Sequence, residues 1–134
     1  MSIIYADHLI QKKDEFIKKL EVAEKLALTE NSLNIIEVKA KYPNTNLGYI
    51  KIGKMLNEID GIEVFAFEKF IEKPDLDTAK KFLQSYKYLW NTGLYVWKIS
   101  TILEKFKLHQ PNTYDHLMKI QEALGTKNEK TAIQ

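Results

Sequence analysis

The stretch from Phe70 to Lys98 most constrains how this chain can fold. It reads as an apolar strand that ends in Glu72-Lys73-Pro74, then a short amphipathic helix, then an aromatic-rich strand that carries Asn91-Thr92-Gly93. Pro74 stops the first strand because it has no backbone N–H to donate, and Asp75 is a good N-cap for the helix. Two strands joined by one helix predict an α/β fold.

The polar residues at the ends of this unit have complementary chemistry. The Glu72 carboxylate can accept hydrogen bonds from sugar hydroxyls, the Asn91 amide can donate and accept, and the Lys73 ammonium can bind a phosphate. Strand interiors rarely hold polar or glycine positions such as 91–93 without a bend, a bulge or a ligand. The pattern therefore favours a ligand with both hydroxyls and a phosphate.

Composition narrows the class of protein. With 134 residues, 45% of them hydrophobic and 28% charged, the chain has the size and balance of one soluble domain with a core. A formal net charge of +2 gives no signature of nucleic-acid or membrane binding. Cysteine is absent, which excludes disulfides and thiolate chemistry. No apolar run has the length of a membrane span and no signal peptide opens the chain, so we expect a cytoplasmic location.

Two positions outside this unit are candidates for ligand contact. Asp7 follows a short apolar strand from Ser2 to Ala6. Ligands collect at the carboxyl ends of strands in open α/β sheets, so Asp7 could bind a metal ion or a phosphate; the alternative is a helix-entry residue without chemistry. Gly48 opens a later strand, and a ligand could approach its backbone closely because it has no Cβ. An ordinary bend is the alternative there.

The rest of the chain alternates helices and strands. Its apolar spacing predicts a helix over 14–28, strands over 33–39, 48–53, 62–73 and 88–98, and a polar connection over 54–61. Within that connection, Asp60-Gly61 is a turn signal. The sheet is therefore expected to be assembled from several short strands with helices between them.

The C-terminal part is predicted to be helical. Thr101 and Glu104 fit a capping box, although Ser100 is an alternative cap, and Pro111 fits the first turn of a following helix. We expect a partial domain over residues 1–125 and a polar C-terminal tail over residues 126–134.

Four short motifs connect the chain to a known family. In order, they are Ala6-Asp7-His8-Leu9-Ile10, Gly48-Tyr49-Ile50-Lys51, Phe70-Ile71-Glu72-Lys73-Pro74-Asp75 and Leu89-Trp90-Asn91-Thr92-Gly93-Leu94-Tyr95-Val96-Trp97. Together they resemble the bacterial mannose-1-phosphate guanylyltransferases, within the sugar nucleotidyltransferases. The resemblance implies a partial Rossmann-like nucleotidyltransferase fold, with a mixed sheet and flanking helices.

The resemblance also implies a reaction and its site. Enzymes of this family join GTP and mannose 1-phosphate into GDP-mannose and pyrophosphate with Mg²⁺, which implies those ligands here and Asp7 as a metal-binding carboxylate. The implied substrate-binding residues are Gly48, Tyr49, Glu72, Lys73, Asn91, Thr92 and Gly93. Glu72 would bind sugar hydroxyls and Lys73 the sugar phosphate. The Gly48 backbone would meet the sugar, and Asn91 would complete the site. No catalytic residue is assigned.

The chain departs from the family in several places. The family has a G-G-x-G-T-R-L-type loop that cradles the nucleotide phosphates and a D-V-G-S-W-type segment with a second metal-binding Asp, and neither is found in this sequence. Glu37 and Ala40 replace a usual glycine and proline, and Tyr5 replaces a usual proline. We therefore expect this chain to supply the sugar-binding part and to make no GDP-mannose alone. Exposed sheet edges predict self-association or a complementing chain.

Three other interpretations remain open. The chain could be a non-catalytic module that binds a sugar nucleotide or a partner. It could be a related nucleotidyltransferase that uses another sugar or base, because base choice depends on segments that the motifs do not include. Finally, Asp7, Glu72 and Asn91 could be purely structural residues of an α/β domain.

Overall fold

The computed structural model describes residues 1–133. Its strands are β1 (Ser2–Ile3), β2 (Asn34–Lys39), β3 (Tyr49–Ile59), β4 (Ile62–Ile71) and β5 (Tyr88–Val96). Its helices are α1 (Lys13–Glu30), α2 (Leu76–Ser85), α3 (Ile99–His109), α4 (Pro111–Ala123) and α5 (Glu129–Ile133). The chain forms two compact units, of which the first ends at Trp97 and the second begins at Lys98.

Strand β5 is the centre of the sheet. Trp90 pairs with Val38 of β2 and with Tyr49 of β3, so β2 and β3 lie on opposite edges of β5. Tyr95 pairs with Ile3 of β1 and with β2, so β1 also lies opposite β2. Strands β1 and β3 therefore share one edge of β5, and the segment 91–94 lies between them.

The predicted α/β fold with flanking helices is confirmed, but the directions of the strands correct the expected mixed sheet. Every pairing within residues 1–133 is antiparallel. The predicted strand–helix–strand unit does form, as β4-α2-β5. Its two strands run in the same direction, yet they do not touch because β3 is inserted between them and is antiparallel to both. A helix crossover between same-direction strands therefore coexists with an antiparallel ladder.

The hairpin of β3 and β4 is longer than the sequence predicts. The expected polar connection over 54–61 is wrong for residues 54–59, which continue β3, whereas the turn at Asp60 and Gly61 is confirmed. Both turn residues have positive φ, 53° and 76°, as a two-residue hairpin turn requires. Polar residues such as Asn57 and Glu58 are tolerated in this part of β3 because it is exposed, and composition alone cannot separate such a strand from a loop.

Two apolar clusters hold α1 and α2 on the sheet. In one, Phe16, Leu20 and Ala23 of α1 pack with buried residues of β2 and β5, namely Ile36, Leu94 and Val96. In the other, Ala79 of α2 packs with Tyr49 and Trp90, and Phe82 stacks on Tyr88 with ring centroids 3.8 Å apart. The second cluster lies next to the ends of β3 and β4, so it fixes the strands that carry the candidate site.

Helix boundaries test the predicted caps. The Asp75 carboxylate accepts from the Thr78 N–H at 2.7 Å, which confirms the N-cap of α2. This hydrogen bond lowers the pKa of Asp75. The capping box at Thr101 and Glu104 is wrong, because α3 already begins at Ile99. Pro111 occupies the first turn of α4, as predicted.

The second unit consists of α3, α4 and α5. The Lys107 ammonium lies 5.9 Å from the centre of the Tyr114 ring, a distance at which a cation is attracted to an aromatic face. Helix α5 occupies part of the predicted polar tail, and the Glu129 carboxylate accepts from the Gly125 N–H at 2.9 Å. Gln134 lies outside the described residues. None of the described helices is both long and apolar enough to cross a membrane.

Candidate functional site

Strand register places Gly48 between Glu72 and Asn91. Tyr49 pairs with Ile71 on one side and with Trp90 on the other. One residue earlier, the Asn91 N–H donates to the Gly48 carbonyl at 2.8 Å. On the opposite side, a Cβ at Gly48 would lie 3.1 Å from Glu72 Oε2. Three residues that the sequence separates by up to 43 positions thus meet at one point of the sheet.

The space beside Gly48 also contains an aromatic ring. A Cβ at this position would lie 2.8 Å from Cε2 of Phe70, closer than real Cβ atoms approach other atoms. Phe70 is 42% exposed. Because Gly48 has no side chain, the Phe70 ring and the Glu72 carboxylate can lie directly against its backbone. The Phe70 ring remains partly accessible to solvent.

Glu72 and Lys73 form an exposed ion pair. The Lys73 Nζ lies 3.0 Å from Glu72 Oε1, and both side chains are more than half exposed. Such pairs contribute little to stability, about 0–1 kcal/mol, so either group can exchange its partner for a ligand. Lys73 has φ of 38°, which is uncommon outside glycine. Strained backbone of this kind concentrates at ligand sites.

The segment 91–94 satisfies its backbone N–H groups largely with side chains. The Gly93 N–H donates to Asn91 Oδ1 and the Leu94 N–H to Thr92 Oγ1, each at 3.1 Å. The Thr92 hydroxyl itself donates to the Ile36 carbonyl. Thr92 is thus engaged in the fold, whereas the Asn91 Nδ2 group has no hydrogen-bond partner in the part of the chain that the structure describes. Of the two side chains, Asn91 is the one free to bind a ligand.

Glu37 supplies the remaining acceptor, which sequence reasoning missed. Its Oε2 accepts from the Thr92 N–H at 2.7 Å, and its Oε1 is buried without a partner among residues 1–133. Burial raises the pKa of Glu37 to about 8, and the bond from Thr92 offsets this only in part. The available signal was a carboxylate between two apolar β-branched residues, Ile36 and Val38, in place of a glycine usual in the family.

Gly93 is where the segment after β1 touches β5. Its φ is 71°, and a Cβ there would lie 2.6 Å from Cε2 of Tyr5. Tyr5 also packs near His8, with ring centroids 5.8 Å apart. The turn that carries Asp7 is thereby attached to the 91–93 segment, although the structure gives no contact between Asp7 and the predicted sugar-binding residues.

Asp7 alone does not form a metal centre. It lies exposed in a turn after β1, and no group of three or more His, Cys, Asp or Glu side chains within residues 1–133 is arranged to hold a metal ion. Mg²⁺ is often bound by one or two carboxylates together with substrate phosphates. Asp7 therefore fits the expected role only as a single ligand of an ion that also binds a nucleotide.

Tyr49 plays a structural part instead of the expected one. It is fully buried, and its hydroxyl accepts from the Asn44 N–H and donates to the Asn44 carbonyl, each at 2.9 Å. Its side chain therefore cannot reach a ligand in this arrangement. It holds the loop that leads into Gly48, because both backbone polar groups of Asn44 are tied to the core.

Comparisons with known proteins identify the family. The family model described as "Nucleotidyl transferase" matches residues 1–132, and the chain belongs to this family. Among individual relatives, it is 33% identical over 112 residues to the mannose-1-phosphate guanylyltransferase of Escherichia coli, a match that covers 84% of this chain. The chain spans about a quarter of the length of such relatives, 24% in this case.

Solved structures show the same fold. The mannose-1-phosphate geranyltransferase of Thermus thermophilus superposes with a TM-score of 0.81 over 98% of this chain and 37% of its own, at 23% identity. The mannose-6-phosphate isomerase of Helicobacter pylori gives a TM-score of 0.75 over 91% of this chain and 44% of its own, at 28% identity. Both likenesses support the nucleotidyltransferase fold described above.

Proposed function

We propose that this chain provides the sugar-phosphate-binding part of a mannose-1-phosphate guanylyltransferase-type nucleotidyltransferase. The observation that carries the proposal is the meeting of Gly48, Glu72 and Asn91 at one point of the sheet. Resemblance selects mannose 1-phosphate as the ligand, and the relatives in the comparisons include mannose-1-phosphate guanylyltransferases.

Each group has a distinct role in the proposed site. Carboxylate oxygens accept up to four hydrogen bonds, so Glu72 can bind two adjacent sugar hydroxyls. The Asn91 amide donates to a further oxygen, and the Lys73 ammonium, now paired with Glu72, moves to the phosphate. The Phe70 ring packs so closely on Gly48 that a side chain at this position would clash with it.

In nucleotidyl transfer, positioning and charge neutralisation lower the barrier. The sugar phosphate oxygen attacks the α-phosphorus of GTP, and pyrophosphate leaves. This chain's residues would hold the attacking phosphate in place. Mg²⁺, when bound with the nucleotide, would neutralise phosphate charge, and Asp7 would be one of its ligands. We propose that the chain alone binds the sugar phosphate without completing the reaction.

Calorimetric titration of the purified chain tests this proposal. The ligands are mannose 1-phosphate, free mannose, inorganic phosphate and glucose 1-phosphate, and pyrophosphate release is measured in parallel with GTP and Mg²⁺. We expect binding of mannose 1-phosphate that is stronger than that of mannose or phosphate, and no pyrophosphate. Absence of any sugar phosphate binding would overturn the proposal, and equal affinity for glucose 1-phosphate would point to another sugar.

Self-association is proposed on the edge of the sheet. Strand β4 pairs only with β3 among the described strands, which leaves its outer backbone groups available to another strand. Sedimentation velocity at increasing protein concentration tests this. A monomer at every concentration would contradict self-association.

A further inference from the structure

A mismatch between β2 and β5 lies behind the proposed sugar site. Ile36 pairs with Leu94, and the next regular pair joins Val38 to Trp90. One residue of β2, Glu37, therefore faces three residues of β5, the segment 91–93. A bulge of this kind leaves backbone groups without ladder partners, so these groups must find other acceptors or stay unpaired.

Each of the four N–H groups of residues 91–94 has an acceptor. Asn91 donates to the Gly48 carbonyl, while Gly93 and Leu94 donate to side chains within the segment itself. The Thr92 N–H alone depends on a side chain from another strand, the Glu37 carboxyl, at 2.7 Å. Glu37 thus replaces the backbone acceptor that β2 lacks at the bulge.

Burying the Glu37 carboxyl group costs free energy, which its hydrogen bond from the Thr92 N–H offsets only in part. A partly buried carboxyl group with one oxygen unpartnered is disfavoured relative to an apolar side chain. Burial raises the pKa of Glu37 to about 8 and so favours the neutral acid at pH 7, which still accepts from an N–H. Glu37 therefore acts on the Thr92 N–H as a hydrogen-bond acceptor and does not need a charge to do so.

We propose that Glu37 is a positioning residue, which holds the Thr92 N–H and thereby keeps Asn91 next to Gly48 and Glu72 in the sugar site. Its effect on ligand affinity rests on the proposed function. Its effect on the backbone of residues 92–93 does not, and the two can be measured separately.

Glu37→Gln and Glu37→Met test the inference as a matched pair. Both are close to glutamate in length and uncharged, but only glutamine retains an oxygen acceptor. Glu63→Ala, on the exposed face of β4, is the control for loss of a surface carboxylate. Backbone amide resonances of Thr92 and Gly93 are compared in two-dimensional ¹H–¹⁵N spectra, with Ala79 in the α2 core as the reference for an intact fold. Mannose 1-phosphate affinity is measured on the same samples.

We expect the Thr92 and Gly93 resonances of Glu37→Gln to stay near their wild-type positions and those of Glu37→Met to move, while Ala79 does not move. Affinity should fall about tenfold in Glu37→Met and return in Glu37→Gln, since an unpaired donor weakens a site by about this factor. Unmoved Thr92 resonances in Glu37→Met, or equal losses in both variants, would overturn the inference. If the wild-type chain binds no sugar phosphate, the proposed function fails, and the amide comparison still decides the role of Glu37. If Glu37→Met does not fold, Glu37→Ala takes its place with the same expected results.

Discussion

Gly48 and Glu72 face each other across the β3–β4 pair, where a Cβ at Gly48 would lie 3.1 Å from Oε2 of the Glu72 carboxylate. The Asn91 N–H donates to the Gly48 carbonyl on the other side. This arrangement makes the glycine a junction of three strands. It also explains how residues of three separate motifs can act on one ligand.

Gly48→Ala should disturb the proposed site more than the fold. The added Cβ would lie 2.8 Å from the Phe70 ring, so the ring and the Glu72 carboxylate must move. We expect about a tenfold loss of mannose 1-phosphate affinity and roughly 1 kcal/mol of lost stability from overpacking. Calorimetry and chemical denaturation measure the two effects.

Gly53→Ala is the matched control for that substitution. Gly53 lies in β3, the strand that begins directly after Gly48, and a Cβ there would be in ordinary contact with Ala66 at 3.4 Å. Wild-type affinity is expected for this variant. Equal affinity losses in the two variants would show that the contact at Gly48 has no special role.

Lys73→Gly should separate stability from binding. Lys73 has φ of 38°, and glycine adopts that conformation without steric strain while it increases the entropy of the unfolded chain. We expect a net stabilisation of roughly 0.5 kcal/mol, together with weaker binding of the sugar phosphate because the ammonium is lost. Asp60→Gly, at a turn position with φ of 53°, should gain less stability because Asp tolerates positive φ in turns, and it should leave binding unchanged. If the Lys73→Gly variant is more stable and binds mannose 1-phosphate as tightly as the wild type, Lys73 does not contribute to the sugar-phosphate site.

Gly93→Ala should cost more stability than Gly61→Ala. Both positions have positive φ, 71° and 76°, which disfavours alanine by roughly 1–2 kcal/mol. At Gly61 a Cβ meets no atom within 4 Å, whereas at Gly93 it would lie 2.6 Å from the Tyr5 ring. The difference between the free energies of unfolding of the two variants isolates this contact. Equal losses would mean that Tyr5 moves aside freely.

Glu37 should make stability fall as the pH rises. The pKa of Glu37 is raised from 4.5 to about 8 in the folded chain, so the folded state holds the proton more tightly than the unfolded state. The stability linked to this proton is complete below pH 4.5 and is lost as the pH rises towards 8. Glu37→Gln removes the titration. Its unfolding free energy relative to wild type should increase from pH 5 to pH 8 by on the order of 3–4 kcal/mol, as measured by urea denaturation. A constant difference would contradict the burial of Glu37.

Local sequence signals predicted much of this fold. Asp75 caps α2 because its side chain acts within its own turn, and the Asp60-Gly61 turn follows from backbone conformation alone. Glu72 and Asn91 were recognised as site candidates because the end of a strand and a polar interruption within a strand can each be read from one short stretch of sequence. Each of these features depends on residues that are close in sequence.

The features that sequence reasoning missed depend on distant partners. Glu37 and Thr92 are 55 positions apart, and nothing in either segment specifies the β2–β5 register that joins them. Tyr49 was expected to bind substrate, yet only the position of α2 shows that it is buried. The position of β3 between β4 and β5 was missed for the same reason, because the spacing of apolar residues along a strand does not specify which strands become its neighbours.

Titration of mannose 1-phosphate into wild-type, Glu72→Gln and Glu68→Gln chains tests the central claim most directly. Glu68 lies in β4, the strand that ends directly before Glu72, and its carboxylate is paired with Lys51. We predict one binding site per chain in the wild type, at least a tenfold loss of affinity in Glu72→Gln and unchanged binding in Glu68→Gln. Wild-type affinity in Glu72→Gln, or no binding by the wild-type chain, would contradict the assignment of the sugar-phosphate site.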